Sequence, residues 1–178
     1  MKKKILVLSS SPRKGGNSDT LCDQFIKGAE EAGHIAEKIQ LHDKKIGFCI
    51  ACYACRSTKA CFQQDDMKEI LDKMVQADVV VLATPIYYYT MNGQMKVMID
   101  RTLPRYLEIT DKDFYFIATA ATKSKAQFDR TFDGFTAFLD CLDGANEKGR
   151  IYGTGVYLPG EVKDTEAMDE AYQAGLQV

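Results

Sequence analysis

The sequence has few histidines, no long apolar run and no excess of charge of one sign, and each shortage excludes a class of site or protein. It contains two histidines in 178 residues. His34 and His42 flank a candidate strand without any partner pattern, which argues against a metal site built on histidine. No stretch approaches the roughly 20 apolar residues that a membrane helix needs. We therefore expect no membrane-spanning segment.

Basic and acidic residues nearly balance, with 23 Lys and Arg against 25 Asp and Glu and a formal net charge of −2. The basic residues are scattered rather than arranged in a stripe, so we expect neither a nucleic acid partner nor an anionic membrane surface. The apolar run near the start ends after Leu8 and meets Ser9, which is too short for a signal peptide. We expect a cytoplasmic protein.

Five short apolar segments alternate with five helical patterns, and no repeat or linker interrupts them. The helical stripes of apolar residues fall at 21–32, 67–75, 91–102, 128–139 and 168–176. The predicted strands are Lys3–Ser9, Ile35–Leu41, Asp78–Pro85, Asp113–Ala121 and Arg150–Leu158. This alternation predicts one α/β domain over residues 1–178, with a parallel sheet covered by helices on both faces.

Ligands of such folds bind beyond the carboxyl ends of the strands, where the strand order reverses. The first of these loops, at 9–20, combines hydroxyl groups, two glycines and Arg13 with the start of a helix. A helix N-terminus attracts anions, and a guanidinium adds a forked donor. The loop lacks the motifs of a P-loop and of a dinucleotide fold. We predict a site for a small phosphate monoester, with a merely polar, capped loop as the alternative.

Two motifs carry a family resemblance. The run S-P-R-x-x-G-N-S from Ser11 to Ser18 resembles the phosphate loop of flavodoxin-like NAD(P)H-dependent FMN reductases. The segment Thr84–Lys96 resembles the flavin-ring loop of the same family, with its P-x-Y…M-x-G-x-M-K pattern. The resemblance implies a flavodoxin-like three-layer sandwich whose five-stranded parallel sheet has the order 2-1-3-4-5.

The resemblance also implies FMN as cofactor, NADPH or NADH as electron donor, and a homodimer or higher homo-oligomer. Transferred by position, the residues at the FMN phosphate are Ser9, Ser11, Arg13, Asn17, Ser18 and Thr20. Those along the isoalloxazine ring are Pro85, Ile86, Tyr87, Tyr88, Thr119, Ala120 and Ala121. Because a flavin carries out the redox chemistry itself, we expect no catalytic acid, base or nucleophile among the side chains.

Four of the six cysteines lie in one segment with the spacing C-x2-C-x2-C-x5-C, namely Cys49, Cys52, Cys55 and Cys61. A cytosolic chain keeps its thiols reduced, so this spacing indicates chemistry rather than disulfides. Four cysteines can hold an iron–sulfur cubane or zinc, although zinc sites usually use two separated pairs. A loop of thiols without metal is a third alternative. The motif also resembles that of iron–sulfur flavoproteins, which implies a [4Fe–4S] cluster beside FMN.

The leading hypothesis is therefore an FMN-dependent NAD(P)H oxidoreductase that passes electrons to a quinone, a flavin or another small acceptor. The alternative is an iron–sulfur flavoprotein that acts as an electron carrier with a ferredoxin-like protein partner. A third hypothesis is a non-redox domain on the same fold that binds a different phosphate.

Overall fold

A parallel sheet forms the centre of the protein, in a computed structural model that describes residues 1–178. The strands are β1 (Lys4–Ser9), β2 (Ile35–Gln40), β3 (Val79–Tyr87), β4 (Thr90–Met91), β5 (Asp113–Ala120) and β6 (Asn146–Thr154). The helices are α1 (Asn17–Glu31), α2 (Cys55–Thr58), α3 (Met67–Gln76), α4 (Gly93–Asp100), α5 (Asp129–Leu139) and α6 (Ala167–Leu176). The five long strands are all parallel and follow the order β2-β1-β3-β5-β6. The predicted order is confirmed.

The short strand β4 is an addition that the sequence did not predict. It pairs antiparallel with the end of β3, where Ile86 faces Met91 and Tyr87 faces Thr90. The two turn residues, Tyr88 and Tyr89, have φ angles of 51° and 67°. Two consecutive left-handed residues are typical of a type I′ hairpin turn, which Asn-Gly usually provides. A Tyr-Tyr pair gives no such signal, so the hairpin could not be read from the sequence.

The predicted last strand, Arg150–Leu158, is placed too late in the chain. The observed strand β6 begins at Asn146 and ends at Thr154. Its first three residues are exposed and polar because β6 is an edge strand, so they lack the apolar pattern used for the prediction. Gly155, with φ of 70°, ends the strand by turning the chain.

Two apolar cores lie on the two faces of the sheet, as expected of parallel strands covered on both sides. Along β1, Leu6 and Leu8 point into the core beneath α3, α4 and α5, whereas Ile5 and Val7 point into the core beneath α1 and α6. The sheet and its two helical layers form the predicted three-layer sandwich. None of the helices is both long and apolar enough to cross a membrane.

Helices α1 and α6 approach so closely that only glycine fits at their crossing. A Cβ atom on Gly28 would lie 2.1 Å from the carbonyl oxygen of Tyr172, and one on Gly175 would lie 2.0 Å from that of Phe25. We expect Gly28→Ala to lower the free energy of unfolding by about 3 kcal/mol, because backbone atoms must move apart.

Urea unfolding measures this loss, and Gly93→Ala is the matched control. Gly93 is the first residue of α4 and has no atom within 4 Å of its would-be Cβ. Alanine there should leave stability unchanged or raise it by up to about 1 kcal/mol. Equal stability of Gly28→Ala and the wild type would contradict the packing described for α1 and α6.

Candidate functional site

A pocket opens at the carboxyl ends of β1, β3 and β5, next to the point where the strand order reverses. Most of the residues predicted to hold the cofactor line it. These are Ser11, Arg13, Asn17, Ser18, Pro85, Ile86, Tyr87, Thr119, Ala120 and Ala121. Gly16, Val156 and Tyr157 complete the lining. The motifs at two distant parts of the sequence therefore meet in one cavity.

The start of α1 gives this pocket an end that can receive an anion. The backbone N–H groups of Asn17, Ser18 and Asp19 belong to the first turn and have no acceptor within the helix. No side chain caps this helix, so the N–H groups are free to bind an anion. At the preceding residue, Gly16, a Cβ atom would come within 2.9 Å of the Arg13 carbonyl oxygen. Glycine thus permits the tight turn that leads into the helix.

The carboxylate of Asp19, in the first turn of α1, is paired with other groups of the protein. Asp19 is buried and accepts hydrogen bonds from the Gly15 backbone N–H at 2.9 Å and the Lys38 ammonium at 2.7 Å. The Gln40 amide also donates to it. Arg13 lines the pocket and donates to the Tyr157 carbonyl oxygen at 3.2 Å. The pocket end therefore carries a positive potential from Arg13 and the helix dipole.

Asn17 lines the pocket, but its side chain mainly holds the segment that follows β6. Its amide donates to the Leu158 carbonyl oxygen at 3.0 Å. Its carbonyl oxygen accepts from the backbone N–H groups of Gly160 at 3.1 Å and Val162 at 3.3 Å. The side chain thus fastens segment 155–162 to the start of α1, and this segment places Val156 and Tyr157 at the pocket.

We expect Asn17→Ala to release segment 155–162, because three hydrogen bonds worth about 1 kcal/mol each are lost. The backbone amides of Gly160 and Val162 should exchange with deuterium faster than in the wild type. Asn146→Ala is the control, since the Asn146 side chain bonds only the Gly144 carbonyl oxygen. Unchanged exchange at both amides would show that Asn17 does not fasten the segment.

Three residues predicted at the cofactor lie outside the pocket. Ser9 is fully buried beneath the loop, and its hydroxyl has no hydrogen-bond partner. Thr20 lies past the first turn of α1 and does not line the cavity. Tyr88 is 98% exposed because it forms the tip of the β3–β4 hairpin. These three side chains do not line the pocket, and their contact with a cofactor stays a prediction.

Asn92 joins two of the loops beside the pocket, and it is not among the residues predicted from the sequence. Its side-chain amide donates to the Ser10 carbonyl oxygen at 2.7 Å, and its carbonyl oxygen caps α4 by accepting from Met95 at 3.2 Å. Its backbone N–H donates to the Thr84 hydroxyl at 3.1 Å. One buried residue thus joins the loops after β1 and β3. An Asn directly before a helical stripe is a capping signal that could have identified it.

The four clustered cysteines line a second pocket, beside the end of α4. Cys49 and Cys52 are exposed, and Cys55 and Cys61 are half-buried. In the arrangement observed, no group of three or more potential ligand side chains is close enough to hold a single metal ion. The donor set is nevertheless four thiols in one mainly apolar pocket, which suits an iron–sulfur cluster. Ala51 and Tyr53 in this loop have left-handed backbones, with φ of 53° and 60°.

Arg101, at the end of α4, lies under this cysteine loop. Its side chain is 2% exposed and makes a bidentate ion pair with Asp65, at 2.7 and 2.9 Å. Burial raises the pKa of Asp65, but hydrogen bonds from Arg101, Gly47 and Met67 outweigh it and hold the pKa below its usual value. Both partners are therefore charged at neutral pH.

Comparison with known proteins agrees with this geometry. Residues 3–130 match the family described as NADPH-dependent FMN reductase. The chain belongs to that family. It is 33% identical over 175 residues to an iron-sulfur flavoprotein of Archaeoglobus fulgidus, covering 98% of this chain and 78% of that protein. It is 30% identical to an iron-sulfur flavoprotein of Methanocaldococcus jannaschii, covering 98% of this chain and 95% of that protein.

The solved structure of an azoreductase from Bacillus anthracis has the same fold as this FMN reductase family member. The two chains align over their full lengths with a TM-score of 0.77 at 15% identity. The family match spans β1, β3, β5 and the cysteine loop but ends before segment 155–162. Membership identifies the chain as an FMN-dependent NAD(P)H oxidoreductase, with FMN and a nicotinamide as its cofactors.

Proposed function

We propose that this oxidoreductase binds FMN in the pocket between β1, β3 and β5 and passes electrons from NAD(P)H to a small oxidant. The observation that carries the proposal is the meeting of two features in one cavity. The free N–H groups of α1 and Arg13 form an anion-binding end, and the segment Pro85–Tyr87 forms an apolar and aromatic shelf. A phosphate monoester attached to a planar ring needs both features.

Each part of the pocket has a separate task in this proposal. The N–H groups of Asn17, Ser18 and Asp19 would bind the phosphate, with Ser11 beside them and Arg13 supplying charge. Pro85, with its fixed φ, and the half-exposed Tyr87 would orient the ring, opposite Thr119–Ala121. Val156, which is buried, would exclude water from the pocket wall. When bound, FMN supplies hydride acceptance from the nicotinamide and electron transfer to the acceptor.

The acceptor of this enzyme is a small molecule, and we propose a quinone or a free flavin. Mixing FMN-loaded protein with NADPH or NADH under argon should bleach the flavin absorbance, and a quinone should restore it. A flavin that stays oxidised with either nicotinamide would reject this function.

We further propose that the protein is cytoplasmic and forms a homodimer. Two exposed tyrosines, Tyr87 and Tyr157, line the pocket, and the exposed Tyr88 directly follows Tyr87. Clustered exposed aromatic surface is typical of contact sites between chains. Light scattering should give twice the chain mass of 19.9 kDa. A mass equal to a single chain would reject the dimer.

A second candidate function is that of an electron carrier with a [4Fe–4S] cluster and a ferredoxin-like protein partner. It is favoured by the gathering of Cys49, Cys52, Cys55 and Cys61 around one pocket. Two relatives that align over nearly the whole chain are named iron-sulfur flavoproteins. The four thiolates would hold the cluster, and the cluster would supply one-electron transfer.

One comparison separates the two functions. Protein purified without oxygen is analysed for iron and acid-labile sulfide, and metal-free protein is assayed for NADPH oxidation with a quinone. Bound iron and sulfide, with no turnover by the metal-free form, favour the electron carrier. Rapid turnover by metal-free protein favours the reductase. Replacing all four cysteines by serine should abolish iron binding without affecting FMN binding.

A further inference from the structure

The cysteine segment 49–61 makes a single hydrogen bond to the rest of the protein. Its own hydrogen bonds run between neighbouring residues, such as the Ser57 and Thr58 hydroxyls to the Ala54 carbonyl oxygen. The one hydrogen bond from this segment to the rest of the chain joins the Arg101 guanidinium to the Cys61 sulfur, at 3.5 Å. The four cysteines thus lie on a segment whose hydrogen bonding to the rest of the chain depends on Arg101.

The same guanidinium holds both ends of this segment. On the side before Cys49, Arg101 donates to the Gly47 carbonyl oxygen at 2.6 Å. On the side after Cys61, it makes the bidentate pair with Asp65. Asp65 in turn accepts from the Gly47 backbone N–H at 3.0 Å, which closes the base of the loop.

We propose that Arg101 is the positioning residue of the cysteine site: it closes the loop and directs an N–H···S hydrogen bond at Cys61. The inference rests on the second candidate function, in which the four thiols hold an iron–sulfur cluster. Because Asp65 balances the charge of Arg101, Arg101 acts on the cysteine site mainly through its hydrogen bond to the Cys61 sulfur. Hydrogen bonds to ligand sulfur stabilise the more negative, reduced cluster and raise its reduction potential.

The test compares Arg101→Lys with a double variant, Asp65→Asn with Arg101→Gln, which removes the ion pair without leaving a buried charge. Each full-length protein is reconstituted anaerobically with Fe²⁺ and sulfide. Iron, sulfide and the midpoint potential of the cluster are then measured. We expect the double variant to bind less iron and its remaining cluster to have a lower potential. Arg101→Lys keeps the positive charge but loses the forked guanidinium. The midpoint potential of its cluster should therefore lie between those of the wild type and the double variant.

Arg105→Lys is the matched control, because Arg105 pairs with Asp72 and Glu108 rather than with the cysteine loop. It should leave iron content and potential unchanged. If the Arg101 variants bind the full amount of iron and keep the wild-type potential, the positioning role of Arg101 is overturned, but the cluster function is not. A wild-type protein that binds no iron and sulfide would overturn the cluster function together with the inference, and the flavin reductase would stand.

Discussion

We expect the replacement of Arg13 with alanine to weaken FMN binding by roughly 10- to 100-fold, or about 1.4–2.8 kcal/mol. Arg13 lines the pocket next to the free N–H groups of α1. A charge-assisted hydrogen bond to a phosphate is about twice as strong as one between neutral groups. Fluorescence titration of the flavin-free protein measures the loss.

Riboflavin, which lacks the phosphate, separates a phosphate contact from a general disturbance of the pocket. Arg13→Ala should leave the affinity for riboflavin unchanged, although it also removes the bond to the Tyr157 carbonyl oxygen. Lys14→Ala is the control on the same loop, because Lys14 is exposed and pairs with Asp43. An equal loss of affinity for FMN and for riboflavin would show that Arg13 maintains the structure of the pocket and does not bind the phosphate.

We expect the replacement of Asp65 with alanine to lower the free energy of unfolding by about 4 kcal/mol, because the buried guanidinium of Arg101 is left without its counter-charge. The pair is nearly inaccessible to solvent, with side-chain exposures of 2% for Arg101 and 14% for Asp65. The control is Asp72→Ala, whose carboxylate pairs with Lys68 and Arg105 near the surface. That change should cost less than about 1 kcal/mol. Similar losses in the two variants would contradict the description of the Arg101 pair.

The same pair gives stability a dependence on pH. The folded state lowers the pKa of Asp65, so its contribution is complete above the unfolded-state pKa of about 3.9. It is lost as the pH falls through the lower folded-state pKa. The difference in unfolding free energy between the wild type and Asp65→Asn should therefore shrink below about pH 4. A difference that stays constant between pH 7 and pH 3 would reject this linkage.

The sheet could be predicted because its signals are local. Central strands such as β3 and β5 are continuous apolar runs, and the order of the strands followed from the family resemblance. The pocket could be predicted because parallel strands end at one edge, which brings the loop after β1 to the loop after β3. Extending the same rule to β6 would have added Val156 and Tyr157.

Other features depend on contacts that no local pattern encodes. Ser9 and Ser11 are two residues apart, but Ser9 ends β1 and is buried, whereas Ser11 lies in the following loop and lines the pocket. Tyr88 lies at the tip of the β3–β4 hairpin, in a turn that lacks the Asn-Gly pair usual for this turn type. The contacts of Arg101 could not be predicted, since its partners Gly47 and Asp65 are far from it in the sequence.

A crystal structure of the protein grown with FMN would show where the phosphate binds. We expect phosphate density within hydrogen-bond distance of the N–H groups of Asn17, Ser18 and Asp19, with the ring against Pro85–Tyr87. Flavin density elsewhere, or phosphate density turned away from the start of α1, would contradict this expectation.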